Sequence, residues 1–351
     1  MRACAQNFGG LTAADGSLTV LVFDASNAFN CLPRAGVFER VRAACPELAP
    51  VVQAWMGQPT THIYWDHAGL GNAVTASCGV DQGCPLSPAF FAIAIAGALD
   101  SIADRLSHLS PSARVFAYLD DIAVAVPAGF AEEAATIVQE EMQKVGLTIN
   151  AGKTQAWTRN PAVALPASLA NCRVQSLRVL GANVAWLDDD ESRVLLHNTE
   201  SGLAQLVAAR DFVARLQELG RAGLSKRTCF ILLRTYAQGC VTHMLRANLE
   251  IGTWVDQLDK IFFDALVELL GAESLRTDQK LQATLRLVDG GLAFPSMPAC
   301  AARAFLGSWA LTFRDVAASL GVSSIESFAA RCPQVFGSFQ QSRNRFDNDR
   351  L

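Results

Sequence analysis

Three aspartates lie where apolar segments of the sequence end or turn. Asp24 closes the apolar run at residues 17–24, and Asp120 and Asp121 stand near the centre of the apolar stretch at residues 114–126. A carboxylate among apolar strands is costly to bury without a partner, and a divalent cation would be such a partner. Carboxylates that converge on two metal ions about 4 Å apart can catalyse phosphoryl transfer, and these hard oxygen ligands favour Mg²⁺ or Mn²⁺. One such acid alone could simply cap or turn a strand end, but the three together predict a two-metal site.

The elements that would position these acids alternate between strands and helices. The continuous apolar run at 17–24 predicts a strand covered on both faces, and residues 114–126 predict a tight hairpin with acids at its turn. Residues 88–106 begin with proline and continue in helix formers, and residues 130–145 repeat apolar side chains at helical spacing. The predicted fold class is therefore α/β, with helices on one face of the sheet. From about residue 192 to about 270 the pattern is helical.

Five segments resemble, in order along the chain, the palm motifs of reverse transcriptases. They are Val22-Phe-Asp-Ala-Ser-Asn-Ala-Phe-Asn30, Gly79-Val-Asp-Gln-Gly-Cys-Pro-Leu-Ser-Pro88, Phe116-Ala-Tyr-Leu-Asp-Asp121, Gly146-Leu-Thr-Ile-Asn-Ala-Gly-Lys-Thr154 and Val179-Leu-Gly-Ala182. A single Tyr-x-Asp-Asp tetrapeptide occurs by chance, whereas all these motifs in the right order are specific. The similarity is closest to retrotransposons without long terminal repeats, because residues 232–246 and 285–292 also resemble the thumb and the following segment of that group.

The resemblance implies a polymerase palm at residues 1–190, with an antiparallel sheet and helices on one face, followed by an all-helical thumb at residues 191–270. A helical C-terminal extension at 271–336 and a disordered tail at 337–351 would complete the chain. The implied activity is RNA-directed DNA polymerisation, which adds deoxynucleoside triphosphates to the 3′-hydroxyl of a DNA primer on an RNA template. The alternative is a folded retrotransposon remnant that binds nucleic acid or a partner without polymerising.

The resemblance also assigns roles at the metal site. Asp24 and Asp120 would bridge two Mg²⁺ or Mn²⁺ ions, the Ala25 carbonyl would add an oxygen ligand, and Asp121 would be a weaker or structural ligand. Lys153 would act as a general acid toward pyrophosphate. The other interpretation of Lys153 is an ordinary surface residue.

A second set of residues would bind the nucleotide. Backbone amides near Asn27 and Ala28 would cradle phosphates, and Phe29 would lie under the sugar and exclude a 2′-hydroxyl, unless Phe29 simply belongs to the core. The other substrate-binding residues that the resemblance implies are Gln82, Gly83 and Tyr118.

The overall charge is unusual for a protein that binds nucleic acid. The net charge is −4, although phosphate binding usually requires a basic balance. Basic residues nevertheless concentrate between residues 210 and 246, and the predicted nucleic-acid ligands are Arg210, Arg215, Arg221, Lys226, Arg227 and Arg234. Their charge alone would be typical of a solvated helix face. The resemblance places them where a thumb would hold template and primer.

Several departures from the family weaken the expected activity. The fingers that precede the first palm motif are longer in the family than the 23 residues before Asp24, and neither an endonuclease nor an RNase H pattern occurs. The second motif has Cys84 and Asp81 where many relatives have an acid and a base. We therefore expect weak, salt-sensitive binding of primer–template and little or no processive synthesis by these residues.

The cysteines and the apolar segments bear on the compartment. The 10 cysteines include no Cys-x-x-Cys pair, which predicts free, buried thiols in a reducing environment. Cys78, Cys84, His62 and His67 could be imagined as ligands of a zinc ion, but their spacing fits no common zinc finger.

Residues 1–10 show no signal sequence, and no apolar helix is long enough to span a bilayer. We expect a soluble intracellular protein. The sequence does not distinguish a nuclear from a cytoplasmic protein, and it does not indicate the oligomeric state.

Overall fold

The computed structural model describes residues 18–160, 162–175, 177–179, 182–183, 191–247 and 254–348. The chain divides into two compact units, and the first ends at Val179. The sequence pattern places that boundary later, at residue 190. Residues 1–10, on which the expectation about a signal sequence rests, and residues 180–181 of the fifth motif lie outside the described residues.

The strand, the two helices and the hairpin that the sequence predicts occur in the first unit in the expected order, together with further strands and helices. The strands are β1 (Leu18–Asp24), β2 (Thr60–Trp65), β3 (Gly71–Ala76), β4 (Arg114–Tyr118), β5 (Asp121–Pro127), β6 (Gln155–Thr158) and β7 (Arg178–Val179). The helices are α1 (Ala28–Cys31), α2 (Arg34–Ala44), α3 (Ala49–Met56), α4 (Ser87–Leu109) and α5 (Ala131–Lys144), and 3₁₀ turns occur at Pro46–Leu48, Ala128–Phe130 and Ala170–Cys172.

Strands β4, β5, β1 and β6 pair in that order into an antiparallel sheet. β1 is buried along its whole length up to the partly exposed Asp24. Because both faces of such a strand are covered, it has no need for the alternation of polar and apolar residues found in half-exposed strands. The register pairs Leu18 with Pro127 and Asp24 with Asp121. The prediction of a buried strand that ends in an acid is confirmed.

Helices α4 and α5 pack against this sheet, and α2 packs on α4. An ion-pair cluster joins α4 to α5, because Nη1 of Arg105 and Nζ of Lys144 each lie 2.6 Å from Oε1 of the buried Glu141. Hydrogen bonds from Lys144 and then from Arg105 lower the pKa of Glu141 to about 2. The cluster thus fixes the two helices that support the strands of the predicted site.

Strands β2 and β3 form a separate antiparallel hairpin. Its side chains are largely exposed on both faces, including Ile63 at 69% and Trp65 at 73%. Asp66 stabilises the turn, since its Oδ1 accepts hydrogen bonds of 2.9 Å from the backbone amides of Ala68 and Leu70. A two-stranded hairpin is marginally stable by itself, so contacts at its base must hold it in place.

Helices make up most of the second unit. They are α6 (Glu191–Arg221), α7 (Lys226–Gly239), α8 (Thr242–Ala247), α9 (Trp254–Leu270), α10 (Thr277–Thr284), α11 (Met297–Ser319), α12 (Ile325–Arg331) and α13 (Pro333–Asn348), together with strand β8 (Ala182–Asn183) and a 3₁₀ turn at Leu287–Asp289. The core centres on α9, where Trp254, Leu258 and Phe262 are buried. Gly202 of α6 approaches Trp254 so closely that a Cβ atom would lie 2.3 Å from the indole ring. The predicted class, an α/β unit followed by a helical unit, is confirmed.

The expectation of a disordered tail is wrong where the structure describes it. Residues 337–348 belong to helix α13. That helix packs on α11, the rings of Phe336 and Phe339 stack with centroids 6.2 Å apart, and Ser342 is fully buried. The polar composition concealed apolar side chains at the spacing of one helical turn, which is what a helix needs to dock.

Candidate active site

Two of the predicted acids are direct partners on neighbouring strands of the sheet. Asp24 ends β1, Asp121 begins β5, and the antiparallel register makes them direct partners. Such facing residues have Cβ atoms about 5 Å apart. The pairing of β1 with β5 therefore brings the first and third motifs together at one end of the sheet.

Asp120 occupies the turn between β4 and β5. Tyr118 pairs with Asp121, so Leu119 and Asp120 form the hairpin loop. Leu119 has a φ of 55°, the sign that the first position of a tight hairpin turn requires. This conformation costs a leucine on the order of 1–2 kcal/mol, and packing of Leu119 against the core offsets that cost. The strained turn therefore places Asp120 at the end of the sheet where Asp24 and Asp121 pair.

The three aspartates are close enough to influence one another. The pKa of Asp121 is raised, first by desolvation and then by the charges of Asp120 and Asp24, while Lys153 opposes the shift. Neighbouring like charges disfavour ionisation. The charges of Asp120 and Asp24 therefore act on Asp121, and a cation nearby would oppose their effect.

Lys153 provides a positive charge to this cluster. Its Nζ lies 3.1 Å from Oδ2 and 3.3 Å from Oδ1 of Asp24. Asn150 brings the lysine there, because its amide donates to the Asp24 carbonyl at 2.8 Å and its own carbonyl accepts from the Lys153 amide at 3.1 Å. The motif resemblance implies a role of Lys153 toward pyrophosphate but does not anticipate this pairing with Asp24.

The oxygen atoms of the cluster are of the type that a hard divalent cation prefers. Oδ2 of Asp24 is buried and, although Lys153 is near, accepts no well-directed hydrogen bond from the residues that the structure describes. The backbone hydrogen bonds that flank Ala25 leave its carbonyl out. In type, these donors fit Mg²⁺ or Mn²⁺. Within the described residues, however, no three or more His, Cys, Asp or Glu side chains converge into a metal-binding group.

A turn after β1 arranges the predicted phosphate- and sugar-binding residues. Asn27 has φ 48° and ψ 40°, a left-handed conformation that asparagine tolerates, and it precedes α1. Asn27 is exposed and Ala28 is buried. Phe29 is half-buried and stacks on Phe91 of α4 with ring centroids 4.6 Å apart. Phe29 therefore packs on the core and still presents part of its ring to solvent.

The second motif is attached to the first through Gly79. The Gly79 amide donates to the Leu32 carbonyl at 2.8 Å, and the Val80 amide donates to the Phe29 carbonyl at 2.7 Å. Gly79 has a φ of 78°, and a Cβ atom there would lie 2.5–2.6 Å from backbone atoms of Phe29 and Asn30. Both the conformation and the close approach require glycine. Sequence reasoning quoted Gly79 as part of the motif but gave it no role.

The remaining predicted nucleotide-binding residues are accessible. Gln82 and Gly83 are exposed directly after this anchored segment, and Tyr118 is 62% exposed. Gly83 has a φ of 93°, and apart from its own residue and its two chain neighbours no described atom lies within 4 Å of the position of its missing Cβ.

The predicted nucleic-acid ligands are divided between two helices of the second unit. Arg210, Arg215 and Arg221 lie on α6, and Lys226, Arg227 and Arg234 lie on α7. All are exposed except Arg234, which is half-buried, donates to the Leu292 carbonyl at 3.4 Å and lies 5.6 Å from the centroid of the Phe230 ring.

The charges on α6 do not form one stripe. At 3.6 residues per turn, Arg215 points about 140° away from Arg210, whereas Arg221 returns to within about 20° of it. Arg221 and Lys226 also line an open cavity of 280 Å³ whose other walls include Leu216, Leu224 and Leu269.

Among the described helices, none combines the length and the apolar character needed to cross a membrane. The described cysteines are all free thiols, but the expectation that they are buried is wrong for most of them: Cys31 and Cys78 are exposed, and only Cys229 and Cys332 are buried.

Known proteins resemble this chain in sequence and in fold. The chain is 31% identical over 145 residues to the retrotransposable element SLACS 132 kDa protein of Trypanosoma brucei gambiense, a match that covers 41% of this chain and only 12% of the relative. Solved structures similar to it include apo telomerase of Candida tropicalis, with a TM-score of 0.45 and 14% identity over 94% of this chain and 55% of that one. Telomerase of Candida albicans, in complex with a TWJ fragment of telomeric RNA, has a TM-score of 0.40 and 12% identity over 95% of this chain and 52% of that one. These two likenesses are distant.

The family match rests on the part of the chain that contains the acidic cluster. Residues 1–184 of the 351 match the family described as reverse transcriptase (RNA-dependent DNA polymerase). This match extends over more than half of the sequence and includes Asp24, Asp120, Asp121 and Lys153. The chain therefore belongs to the reverse transcriptase family.

Proposed function

We propose that this chain extends a DNA primer on an RNA template by two-metal nucleotidyl transfer, with the first unit as the palm and the helical unit as the thumb. The observation that carries the proposal is the pairing of Asp24 with Asp121 beside the strained turn that holds Asp120. Two paired strands and the turn beside them would thus supply the carboxylates that this chemistry needs.

Asp24 and Asp120 would hold the two ions, with the Ala25 carbonyl and Asp121 as further oxygen ligands. Bound Mg²⁺ or Mn²⁺ would lower the pKa of the primer 3′-hydroxyl and neutralise the triphosphate. The raised pKa of Asp121, caused by desolvation and then by Asp120 and Asp24, supports a secondary role for that residue. A carboxylate whose pKa is raised ionises less readily than an ordinary aspartate does.

Lys153 would serve as the general acid toward the leaving pyrophosphate. To do so, its ammonium must leave Asp24, from which it is 3.1 Å away. The side chain is 65% exposed, so the movement is not blocked by packing. An incoming cation at Asp24 would compete with this ion pair and favour the release of Lys153.

Phe29 would select deoxynucleotides by bulk. Its stacking on Phe91 fixes the plane of the ring, and the exposed part would occupy the space of a 2′-hydroxyl. Amides near Asn27 and Ala28 would bind phosphates, and Gln82, Gly83 and Tyr118 would line the nucleotide pocket. The exposure of the last three supports access by a ligand.

The second unit would hold template and primer through its basic residues. Arg210 and Arg221, on one side of α6, with Lys226 and Arg227 at the start of α7, are the better candidates because they are exposed. Arg215 lies on another side of α6, and Arg234 makes contacts within its own unit. The chain spans only 12% of the length of the relative that it resembles. The binding of template, primer and nucleotide is therefore proposed for this chain and not taken from the whole relative.

The alternative is a folded remnant that binds nucleic acid or a partner without polymerising. The Lys153–Asp24 ion pair favours it, because a permanent pair would keep a cation from Asp24. The two functions differ in a primer-extension assay on an RNA template with Mg²⁺ and with Mn²⁺. We expect addition of only the first nucleotides, favoured by low salt.

Asp120→Ala should abolish this addition, whereas Asp104→Ala should not, because Asp104 is an acid on α4 with a 74% exposed side chain. Wild-type protein that binds primer–template but adds no nucleotide would favour the remnant. Long, processive products that Asp120→Ala abolishes would contradict the expected weak synthesis.

A further inference from the structure

Arg34, the first residue of α2, is a buried arginine to which sequence reasoning assigned no role. It is only 8% exposed. Its Nε donates to the Gly79 carbonyl at 3.0 Å, Nη1 donates to the Gln58 carbonyl at 3.0 Å, and Nη2 donates to Oγ1 of Thr60 at 2.9 Å. A guanidinium has the fork geometry to reach acceptors in several directions, which a lysine ammonium lacks.

Arg34 has neutral partners where a buried arginine usually has an acid. Fully buried arginines are rare unless paired, and in the part of the chain that the structure describes no carboxylate forms an ion pair with Arg34. The acceptors belong to separate segments: the second motif at Gly79, the loop before β2 at Gln58, and the first residue of β2 at Thr60. One side chain therefore joins the second motif to the base of the exposed hairpin.

A second polar contact runs beside the first. Oγ1 of Thr60 lies 3.4 Å from Nε2 of His62, and the same nitrogen lies 3.4 Å from Oδ1 of Asp81. These contacts form a row that begins at the buried Arg34 and ends at Asp81, directly before Gln82 and Gly83. The row consists of Arg34, Thr60, His62 and Asp81. We call this row the Arg34 network.

The hairpin depends on the Arg34 network more than on apolar packing. The burial pattern of β2 is exposed at every position after Thr60, and β3 is exposed at most positions. Segments with few buried contacts open locally at low cost. Loss of the network should therefore loosen the hairpin base and the second motif together while the sheet stays intact.

We propose that Arg34 is a positioning residue that fixes the second motif against the hairpin base and thereby sets the pocket for the deoxynucleoside triphosphate. The inference rests on the proposed function, because it concerns the nucleotide pocket of that same site. Arg34 acts through Gly79 and touches no reacting atom.

Hydrogen exchange of the full chain tests the inference without requiring catalysis. We compare wild type with Arg34→Met, Arg34→Lys and the control Arg42→Met. Arg42 lies on the same helix, but its side chain is 63% exposed and pairs only at the surface with Glu39. Exchange at residues 58–62 and 79–83 should become at least about tenfold faster in both Arg34 variants, with β1 and β5 unchanged, since the opening is local.

The lysine variant separates positioning from mere charge. If Arg34→Lys exchanged like wild type, the fork geometry would not matter and the inference would be overturned. Equal acceleration in β1 and β5 would also overturn it, because that result describes general destabilisation. In primer extension, the KM for the nucleotide should rise about tenfold in Arg34→Lys while the Mg²⁺ dependence stays unchanged. Absence of extension by wild type would reject the proposed function, and the exchange result would still decide the role of Arg34.

Discussion

Gly79 and Gly83 allow a matched test of how the second motif is held. Both have positive φ, 78° and 93°, yet only Gly79 is in close contact with other backbone. We expect Gly79→Ala to destabilise the first unit strongly and Gly83→Ala to do so weakly. The two substitutions share the change in unfolded-chain entropy, so their difference isolates the contact.

The magnitudes follow from the geometry. Left-handed backbone costs an L-residue about 1–2 kcal/mol, and both variants carry this cost. At Gly79 the new Cβ would also lie 2.5 Å from the Asn30 carbonyl oxygen and 2.6 Å from that of Phe29. Overpacking of this kind typically costs about 1–3 kcal/mol more. We therefore expect about 2–5 kcal/mol for Gly79→Ala and about 1–2 kcal/mol for Gly83→Ala.

Urea unfolding measures these values, with hydrogen exchange of β1 and β5 as the reporter of the first unit. The second unit provides an internal control, because exchange in α9 should be the same in both variants. Equal destabilisation by the two substitutions would refute the argument that the contacts of Gly79 with Phe29 and Asn30 require glycine.

The remaining predictions use other features of the fold. In the folded protein the pKa of Glu141 is lowered from 4.5 to about 2. Its ion pairs therefore stabilise the first unit above about pH 4.5, and this stabilisation is lost as the pH falls toward 2. In Glu141→Gln the free energy of unfolding should depend less on pH between these two values. Gly202→Ala should lower the Tm because the new Cβ would lie 2.3 Å from the indole ring of Trp254. Gly307→Ala, also in a helix but with no described atom of a more distant residue within 4 Å of the new Cβ, should raise stability by up to about 1 kcal/mol. A Gly202→Ala variant more stable than Gly307→Ala would contradict the close packing at Gly202. Phe29→Ala should increase ribonucleotide incorporation, and unchanged sugar discrimination would assign Phe29 to the core alone. Lys153→Met should strengthen Mn²⁺ binding about fivefold, the effect of an exposed ion pair of about 1 kcal/mol; calorimetry that shows equal affinity would exclude competition at Asp24.

Much of the fold could be predicted because its signals are local. The unbroken apolar run of β1 predicts a strand that is buried on both faces, and the Leu-Asp-Asp centre predicts the turn between β4 and β5. Periodic apolar residues predict α5. Each of these properties depends on neighbours within a few positions, which the sequence displays directly.

The candidate site depended only partly on such signals. The motif resemblance selected Asp24, Asp120 and Asp121, and the structure pairs the strands of Asp24 and Asp121 with Asp120 in the adjoining turn. The same resemblance could not reveal why Gly79 is glycine, because that reason lies in the backbone of the first motif. Helix α13 was missed because composition outweighed the spacing of its aromatic residues.

The amino-acid sequence by itself determined the order of the elements, the family and the acids of the candidate site. Only the tertiary structure decided which charges meet, and it did so over large separations in the chain. Lys153 reaches Asp24 across 129 positions, and Arg34 reaches Gly79 across 45. No periodicity encodes such contacts, because they arise when strand pairing and helix packing bring distant backbones together. The ion pair at Asp24 and the Arg34 network are therefore consequences of the fold.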